Sequence, residues 1–170
     1  MKFSVNRESL LRPLQQVAGV VERRQTLPVL SNLLLQVQEK QLFMTGTDLE
    51  VELIGRVEID NAETGAVTVP ARKLVDICRE IPEKADIEVA LAESRVEIRS
   101  GRFRSTLSTL SAMDFPSVDH SSPELSTELD SKALKKLLDK TAFAMAQQDV
   151  RYFLNGMLVE IGHGHVRSVA

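Results

Sequence analysis

Three carboxylates at alternate positions are the first candidates for chemistry in this sequence. Asp48, Glu50 and Glu52 follow one another at a spacing of two residues. In an extended strand such positions share one face, and a divalent cation prefers oxygen ligands of this kind. The pattern is compatible with a metal-dependent nuclease, although a solvated strand face produces the same pattern far more often.

The other reactive side chains form no recognisable site in the sequence. His163 and His165 flank a glycine, and two imidazoles without a third ligand are a weak zinc signal that a hairpin turn explains better. The single cysteine, Cys78, lies on an apolar helical stripe, where we expect a buried and inert thiol. No phosphate-binding glycine motif is present. We therefore expect neither a metal nor a cofactor.

A cationic helix is the next candidate. Asp130 can act as the N-cap of a helix whose apolar stripe consists of Leu134, Leu137, Leu138, Ala142 and Met145. Four ammonium groups recur at helical spacing and share one face of that helix, namely those of Lys132, Lys135, Lys136 and Lys140. The net charge of −3 argues against a generally basic nucleic-acid coat, but a basic lining on one face remains compatible with it.

The elements that carry these side chains belong to an internal repeat. When the chain is shifted by 124 positions, from Leu10 to Leu134, the apolar pattern of the N-terminal part recurs without a gap. The second copy stops where Gly46 aligns with Ala170. We therefore expect one complete domain over residues 1–122 and the truncated first part of a second over residues 123–170.

Hydrophobic periodicity places the elements within this frame. Helices are expected after Asn6 and over residues 71–81, with a loop at 61–65 and a linker at 112–123. Strands are expected at 1–5, 33–38, 41–45, 49–59, 66–70, 87–91, 96–98, 103–110, 125–129, 156–161 and 166–170. The first 110 residues thus read strand–helix–strand–strand–strand twice over.

Composition and length limit the class of protein. The chain has 170 residues with 43% hydrophobic and 4% aromatic residues, which is enough for an aliphatic core. No apolar run approaches the roughly 20 residues of a membrane span. The start of the chain shows no signal peptide, and one cysteine cannot form an intrachain disulfide, so we expect a cytoplasmic protein.

Five segments together resemble one known family. MKFSVNRESLLRPLQQV, LPVLSNLLLQV, MTGTDLE, VPARK and QDVRYFLNGM are similar to the bacterial DNA polymerase III beta subunit, the sliding-clamp family. The resemblance implies an α+β DNA clamp fold, in which strand–helix–three-strand units repeat and helices lie on one face of antiparallel sheets. It also implies three domains per chain, of which the third is absent here.

The same resemblance implies a function without catalysis. Two clamp chains close as a homodimer ring around duplex DNA, bind its phosphate backbone without reading sequence, and tether the replicative polymerase. The implied partners are the DNA polymerase III alpha subunit and the clamp loader. This fragment is not expected to close a ring by itself.

The resemblance assigns roles to individual residues. It implies DNA contacts by Arg24, Arg72, Gln148, Tyr152 and Phe153. It implies a dimer interface with Lys73, Arg95, Arg102 and Arg104, the last two on one strand face, and an incomplete partner-peptide cleft with Arg151 and Leu154. Phe153 replaces a family tyrosine, which keeps the ring but loses the hydroxyl donor. Without the resemblance, Tyr152 and Phe153 would be interpreted as core residues.

Two alternatives to the sliding clamp stay open at this point. One is a non-enzymatic interaction module that makes no contact with DNA. The other is the metal-dependent nuclease built on Asp48, Glu50 and Glu52.

Overall fold

A computed structural model describes residues 1–21, 27–116 and 126–170 of the chain. The chain divides into two compact units, Met1–Asp119 and His120–Ala170. Among the described residues, no helix is long and apolar enough to cross a membrane.

The first unit contains the predicted double succession of strand, helix and three strands, with one further strand between the halves. In chain order its elements are β1 (Lys2–Asn6), α1 (Arg7–Ala18), β2 (Asn32–Gln38), β3 (Gln41–Thr47), β4 (Glu52–Glu58), β5 (Asp60–Glu63), β6 (Gly65–Pro70), α2 (Ala71–Glu80), β7 (Asp86–Ala92), β8 (Arg95–Ser100) and β9 (Phe103–Ser108).

These strands form two antiparallel sheets that interlock the halves of the unit. One sheet has the order β5-β1-β7-β8-β9 and the other the order β4-β3-β2-β6. The first strand of each half therefore joins the sheet of the other half, because β1 pairs with β7 and β6 pairs with β2. Neither half can complete its sheet without the other.

Both helices share one aliphatic core with the two sheets. The N-cap Asn6 accepts a hydrogen bond from the Glu8 amide at 3.0 Å, and α1 then buries Leu10, Leu14 and Val17 on one stripe. Pro13 is accommodated inside α1. The buried stripe of α2 consists of Ala71, Leu74, Val75 and Cys78.

Arg7 links the two helices at the end of α2. Its Nε donates to the carbonyl oxygen of Cys78 at 3.1 Å, and its Nη2 donates to that of Arg79 at 3.2 Å. The last carbonyls of a helix have no partner within the helix and lie at the negative end of its dipole. A cation from α1 therefore closes the C-terminus of α2.

The second unit contains α3 (Ser131–Asp139), β10 (Leu158–Gly162) and β11 (His165–Val169), with short 3-10 turns at Ala142–Ala144 and Tyr152–Asn155. The two strands form an antiparallel hairpin. Like α1, which begins at Arg7, α3 begins 124 positions later at Ser131, which confirms the predicted repeat. None of residues 126–170 is buried.

Four sequence-based expectations about elements were wrong. The loop expected at residues 61–65 is largely the strand β5, which pairs with β1. The strand expected from residue 49 begins only at Glu52, because a turn precedes it. Ala142 and Met145 do not extend α3, which ends at Asp139.

The fourth difference concerns the strand expected at residues 125–129. Leu125 lies outside the described residues, and Ser126–Leu129 forms no strand. Its counterpart β1 is held by β5 on one side and by β7 on the other. Equivalents of those two strands are absent from the described part of the second unit, so the backbone there has no ladder to join.

Candidate nucleic-acid interface

The start of α2 concentrates positive charge. Arg72 and Lys73 lie exposed in its first turn, which contains no acidic residue. Free backbone amides and the helix dipole add partial positive charge at the same end. This end of α2 therefore suits an anion such as a phosphate group.

Helix α3 presents three lysines to solvent. Asp130 caps the helix by accepting a hydrogen bond from the Ala133 amide at 2.8 Å, which confirms the expected N-cap. Lys132, Lys135 and Lys136 are exposed, and Lys135 pairs with Asp139. Lys140 follows as the C-cap residue. The expected cationic face is present, although its fourth member lies just outside the helix.

The 147–155 loop, meaning residues 147–155, displays three large apolar side chains. Val150 is 96% exposed, Tyr152 83% and Phe153 68%. The two rings meet edge to face, with centroids 6.1 Å apart and planes at 80°. The default interpretation of Tyr152 and Phe153 as core residues was therefore wrong.

Hydrogen bonds within the 147–155 loop fix its shape. The Asp149 amide donates to Asn155 Oδ1 at 2.9 Å, and Asn155 Nδ2 donates to the Asp149 carbonyl at 3.0 Å. Gln148 takes a left-handed conformation, with φ at 57°. Leu154 is half-buried, and its carbonyl accepts from the Ala146 amide at 2.9 Å. The loop is thus closed across its whole length.

Arg151 is engaged inside this loop. Its Nε donates to Asp149 Oδ1 at 3.1 Å and its Nη2 to Asp149 Oδ2 at 3.0 Å. The side-chain and backbone hydrogen bonds from Arg151 lower the pKa of Asp149, and the same pairing raises the pKa of Arg151. Both groups therefore stay charged at neutral pH and neutralise each other.

Arginines cover the outer face of the sheet at its β9 edge. Arg95 and Arg104 are exposed, and Arg104 lies directly opposite Arg99 of β8. Like charges in opposite positions repel, and Glu97 offsets part of this repulsion through an ion pair of 2.6 Å with Arg99. Arg99 belongs to this face but was missed, although its spacing of four from Arg95 on a strand was a usable signal.

Arg102 does not share the strand face of Arg104, contrary to the sequence-based expectation. Arg102 follows Gly101 in the tight turn between β8 and β9, and Gly101 has φ at 54°. The strand β9 begins only at Phe103. A residue in the turn has no fixed alternation with the residues of the strand that follows.

The three alternating carboxylates do not form a site on one strand face. Asp48 lies in a turn, where its Oδ1 accepts from the amides of Glu50 at 2.9 Å and of Val51 at 2.7 Å. These hydrogen bonds lower the pKa of Asp48. Glu52 then starts β4. Within the described ranges, no group of three His, Cys, Asp or Glu residues could hold a metal ion.

Cys78 and the two histidines behave as expected from the sequence. Cys78 is fully buried, and this burial raises the pKa of its thiol to about 12. His163 lies in the turn of the β10–β11 hairpin, and His165 begins β11.

Most of the predicted site residues thus fall into three described places, and Arg102 lies apart from them in the turn between β8 and β9. Gln148, Arg151, Tyr152, Phe153 and Leu154 share the 147–155 loop, Arg72 and Lys73 share the start of α2, and Arg95 and Arg104 share the outer sheet face. Arg24 lies outside the described residues. Sequence reasoning missed Asp149 and Asn155, although Asp and Asn in a loop are frequent turn-forming residues.

Comparisons with known proteins agree with this architecture. The sequence profile of the DNA polymerase III beta subunit, N-terminal domain, matches residues 1–119, and that of the central domain matches residues 128–170. The chain is 57% identical to the Pseudomonas aeruginosa beta sliding clamp and 53% identical to that of Escherichia coli. Each alignment covers 100% of this chain and 47% of the relative, so the chain spans about half the length of these proteins.

Solved structures show the same likeness. The fold matches a sliding clamp from Pseudomonas aeruginosa bound to griselimycin with a TM-score of 0.96 at 57% identity, covering 100% of this chain and 46% of that chain. It matches the Caulobacter crescentus pol III beta with a TM-score of 0.87 at 38% identity, covering 98% and 45%. The helices and antiparallel sheets described above are those of the clamp fold, and the chain belongs to the DNA polymerase III beta subunit family.

Proposed function

We propose that this chain forms part of a DNA sliding clamp, a non-catalytic processivity factor that encircles duplex DNA and tethers the replicative polymerase. The observation that carries the proposal is the placement of exposed cations on helices of a clamp-family fold. Arg72 and Lys73 begin α2, and three lysines line α3. Mobile ammonium and guanidinium groups attract phosphates without reading bases, as a ring that slides on DNA requires.

DNA contacts in this proposal come from Arg24, Arg72, Gln148, Tyr152 and Phe153. Arg72 supplies a charge beside the free amides of a helix start, where a phosphate is favoured. The exposed rings of Tyr152 and Phe153 offer apolar surface to sugars or bases. Only a small part of the affinity depends on the base sequence in such an arrangement.

The outer sheet face at β9 is proposed as the dimer interface. Arg95 and Arg104 supply positive charge on this face, and an edge strand offers free backbone groups to a further strand. Arg102 in the β8–β9 turn and Lys73 at the start of α2 are proposed to belong to the same interface. An acidic surface on a second chain would complement this charge. Arg151 and Leu154 are proposed as one border of a cleft for peptides from the polymerase III alpha subunit and the clamp loader.

The domain assignment and the compartment complete the proposal. Residues 1–122 form one clamp domain and residues 123–170 belong to the next, in line with the profile matches over 1–119 and 128–170. A replication protein of a bacterium works where the chromosome lies, and the relatives compared are bacterial. The cytoplasm is therefore the proposed location.

Replacing Arg72 by alanine tests the proposed contact with DNA. We expect the complete gene product carrying Arg72→Ala to load less well onto nicked circular duplex DNA, and its salt dependence to lose about one phosphate contact. Arg79→Ala is the matched control, because Arg79 is an exposed cation at the opposite end of α2. The measurement is the amount of protein retained on DNA after loading by the clamp loader.

The outcome separates a clamp from an interaction module that does not touch DNA. A module of that kind would give the same retention for Arg72→Ala, Arg24→Ala and the unmodified protein. Such equality would contradict the proposed function. A loss with Arg72→Ala that Arg79→Ala does not share would support it.

A further inference from the structure

The 147–155 loop exposes two aromatic rings, and the chemistry of the rings alone does not explain this exposure. Tyr152 and Phe153 are 83% and 68% exposed, and apolar surface in water is unfavourable by about 25 cal/mol per Å². Exposure by itself is general in this unit, because none of residues 126–170 is buried. What sets these two rings apart is the hydrogen-bonded loop that carries them.

The loop contains a brace built from Asp149 and Asn155. The two residues exchange a reciprocal pair of hydrogen bonds of 2.9 and 3.0 Å between the ends of the loop. Within the ring so closed, the Asp149 carboxylate also accepts from the Arg151 amide at 2.8 Å. Tyr152 and Phe153 lie between the two braced ends, and the backbone that carries them is fixed on both sides.

The carboxylate of Asp149 holds Arg151 as well. Two parallel N–H···O contacts of 3.1 and 3.0 Å join the guanidinium to the carboxylate, the fork geometry that is strongest for this pair of groups. In a loop that is proposed to face DNA, a carboxylate whose charge is neutralised by Arg151 offers phosphates no attraction of its own. Its presence is therefore better explained by what it holds in place than by direct attraction to DNA.

We propose that Asp149 and Asn155 are positioning residues, which pre-organise the 147–155 loop so that Tyr152 and Phe153 point towards duplex DNA. The proposal rests on the proposed function, because it assigns these two rings to the DNA contact. Pre-organisation raises affinity by removing the entropy loss of ordering a loop on binding. Asp149 and Asn155 touch DNA only through the residues they hold.

If Asp149 acts only through its negative charge, Asp149→Asn should have the opposite effect on DNA binding from the one expected of a positioning residue. Removing a negative charge that has no positioning role should leave DNA binding unchanged or strengthen it. Loosening the hold of the Asp149 carboxylate on Arg151 should instead weaken binding, by on the order of threefold to tenfold for the loss of one charge-assisted contact. The two hydrogen bonds between the Asp149 backbone and the Asn155 side chain survive this change, and Asn155→Ala removes them. Asp139→Asn is the control, because Asp139 is a carboxylate paired with a cation in the same unit but outside the loop.

The chain has a built-in probe for the loop. Tyr152 is the single tyrosine, and the sequence has no tryptophan, so tyrosine fluorescence anisotropy and the tyrosine ring signals in NMR report on this loop alone. We expect lower anisotropy for Asp149→Asn and for Asn155→Ala, but not for Asp139→Asn. Thermal unfolding followed by circular dichroism identifies any variant that fails to fold.

Affinity for a short duplex oligonucleotide, measured at low salt through the Tyr152 signal, completes the test. Weaker binding by Asp149→Asn and Asn155→Ala, with Asp139→Asn unchanged or tighter, supports the positioning role. Equal binding by Asp149→Asn and Asp139→Asn overturns it. The proposed function keeps its support in that case if Tyr152→Ala, followed by the NMR signals of other residues, still weakens binding. If Tyr152→Ala has no effect either, the loop does not contact DNA, and both the positioning role and the proposed DNA contact of this loop are contradicted.

Discussion

At the scale of single residues, burial decides the chemistry of Cys78. The side chain is fully buried on the stripe of α2 that faces the core. Desolvation disfavours the thiolate and raises the pKa to about 12 from 9.0, although the nearby charge of Arg7 acts in the opposite direction. A thiol that stays protonated near neutral pH is a poor nucleophile and a poor metal ligand.

This pKa predicts a loss of stability at high pH. Between about pH 9 and 12 the unfolded chain releases the Cys78 proton while the folded chain keeps it, so the free energy of unfolding falls as pH rises. The slope attributable to one such group is up to about 1.4 kcal/mol per pH unit. Urea unfolding of the unmodified chain and of Cys78→Ala, compared across this pH range, isolates the contribution of Cys78 to this slope. Equal slopes in the two proteins would contradict the assigned burial.

At the scale of elements, Gly46 sets how closely α1 approaches the sheet. A Cβ atom at this position would lie 2.8 Å from the Val17 carbonyl oxygen and 2.9 Å from Leu33 Cδ2. The first neighbour is helix backbone and the second is a fully buried side chain. Neither can move without disturbing the packing of α1 against β3.

We therefore expect Gly46→Ala to destabilise the first unit by about 1–3 kcal/mol, the usual cost of overpacking a core. Urea unfolding followed by circular dichroism measures the change. Gly156→Ala is a suitable control, because the nearest neighbour of its added Cβ is 3.9 Å away. Unchanged stability for Gly46→Ala would mean that α1 does not pack as closely as described.

Elements also show what the sequence could predict. The caps Asn6 and Asp130 and the alternation in β2 follow from local chemistry, so the starts of α1 and α3 and the bounds of β2 were predicted closely. The turn at Asp48 was missed because its carboxylate accepts two hydrogen bonds from nearby backbone amides, and the alternating pattern of charges resembles a strand instead. The pairing of β5 with β1 depends on tertiary contacts that no local pattern encodes.

At the scale of the whole molecule, the two units differ in burial. The first unit has a continuous aliphatic core that includes both helices and strands of both sheets. None of the described residues of the second unit, 126–170, is buried, and Leu158, Val159 and Ile161 of β10 are all at least 45% exposed. A complete aliphatic core accounts for the stability of the first unit, whereas no such core stabilises the described part of the second.

The sequence predicted the family and the cationic helix faces more readily than the details of the 147–155 loop. Lysines at helical spacing can be recognised from the amino-acid sequence alone, because the period of a helix fixes which side chains share a face. The brace between Asp149 and Asn155 needs a left-handed residue at position 148 and a specific closure of the loop. Neither follows from the periodicity of the chain.

The most direct test of the proposed sliding clamp is topological. The complete gene product is loaded by its clamp loader onto a nicked circular duplex, and retention is measured before and after the circle is cut once. A ring that encircles DNA without gripping it should stay on the circle and slide off the linear duplex. Equal retention on circular and linear DNA would contradict encirclement and would indicate an ordinary surface contact.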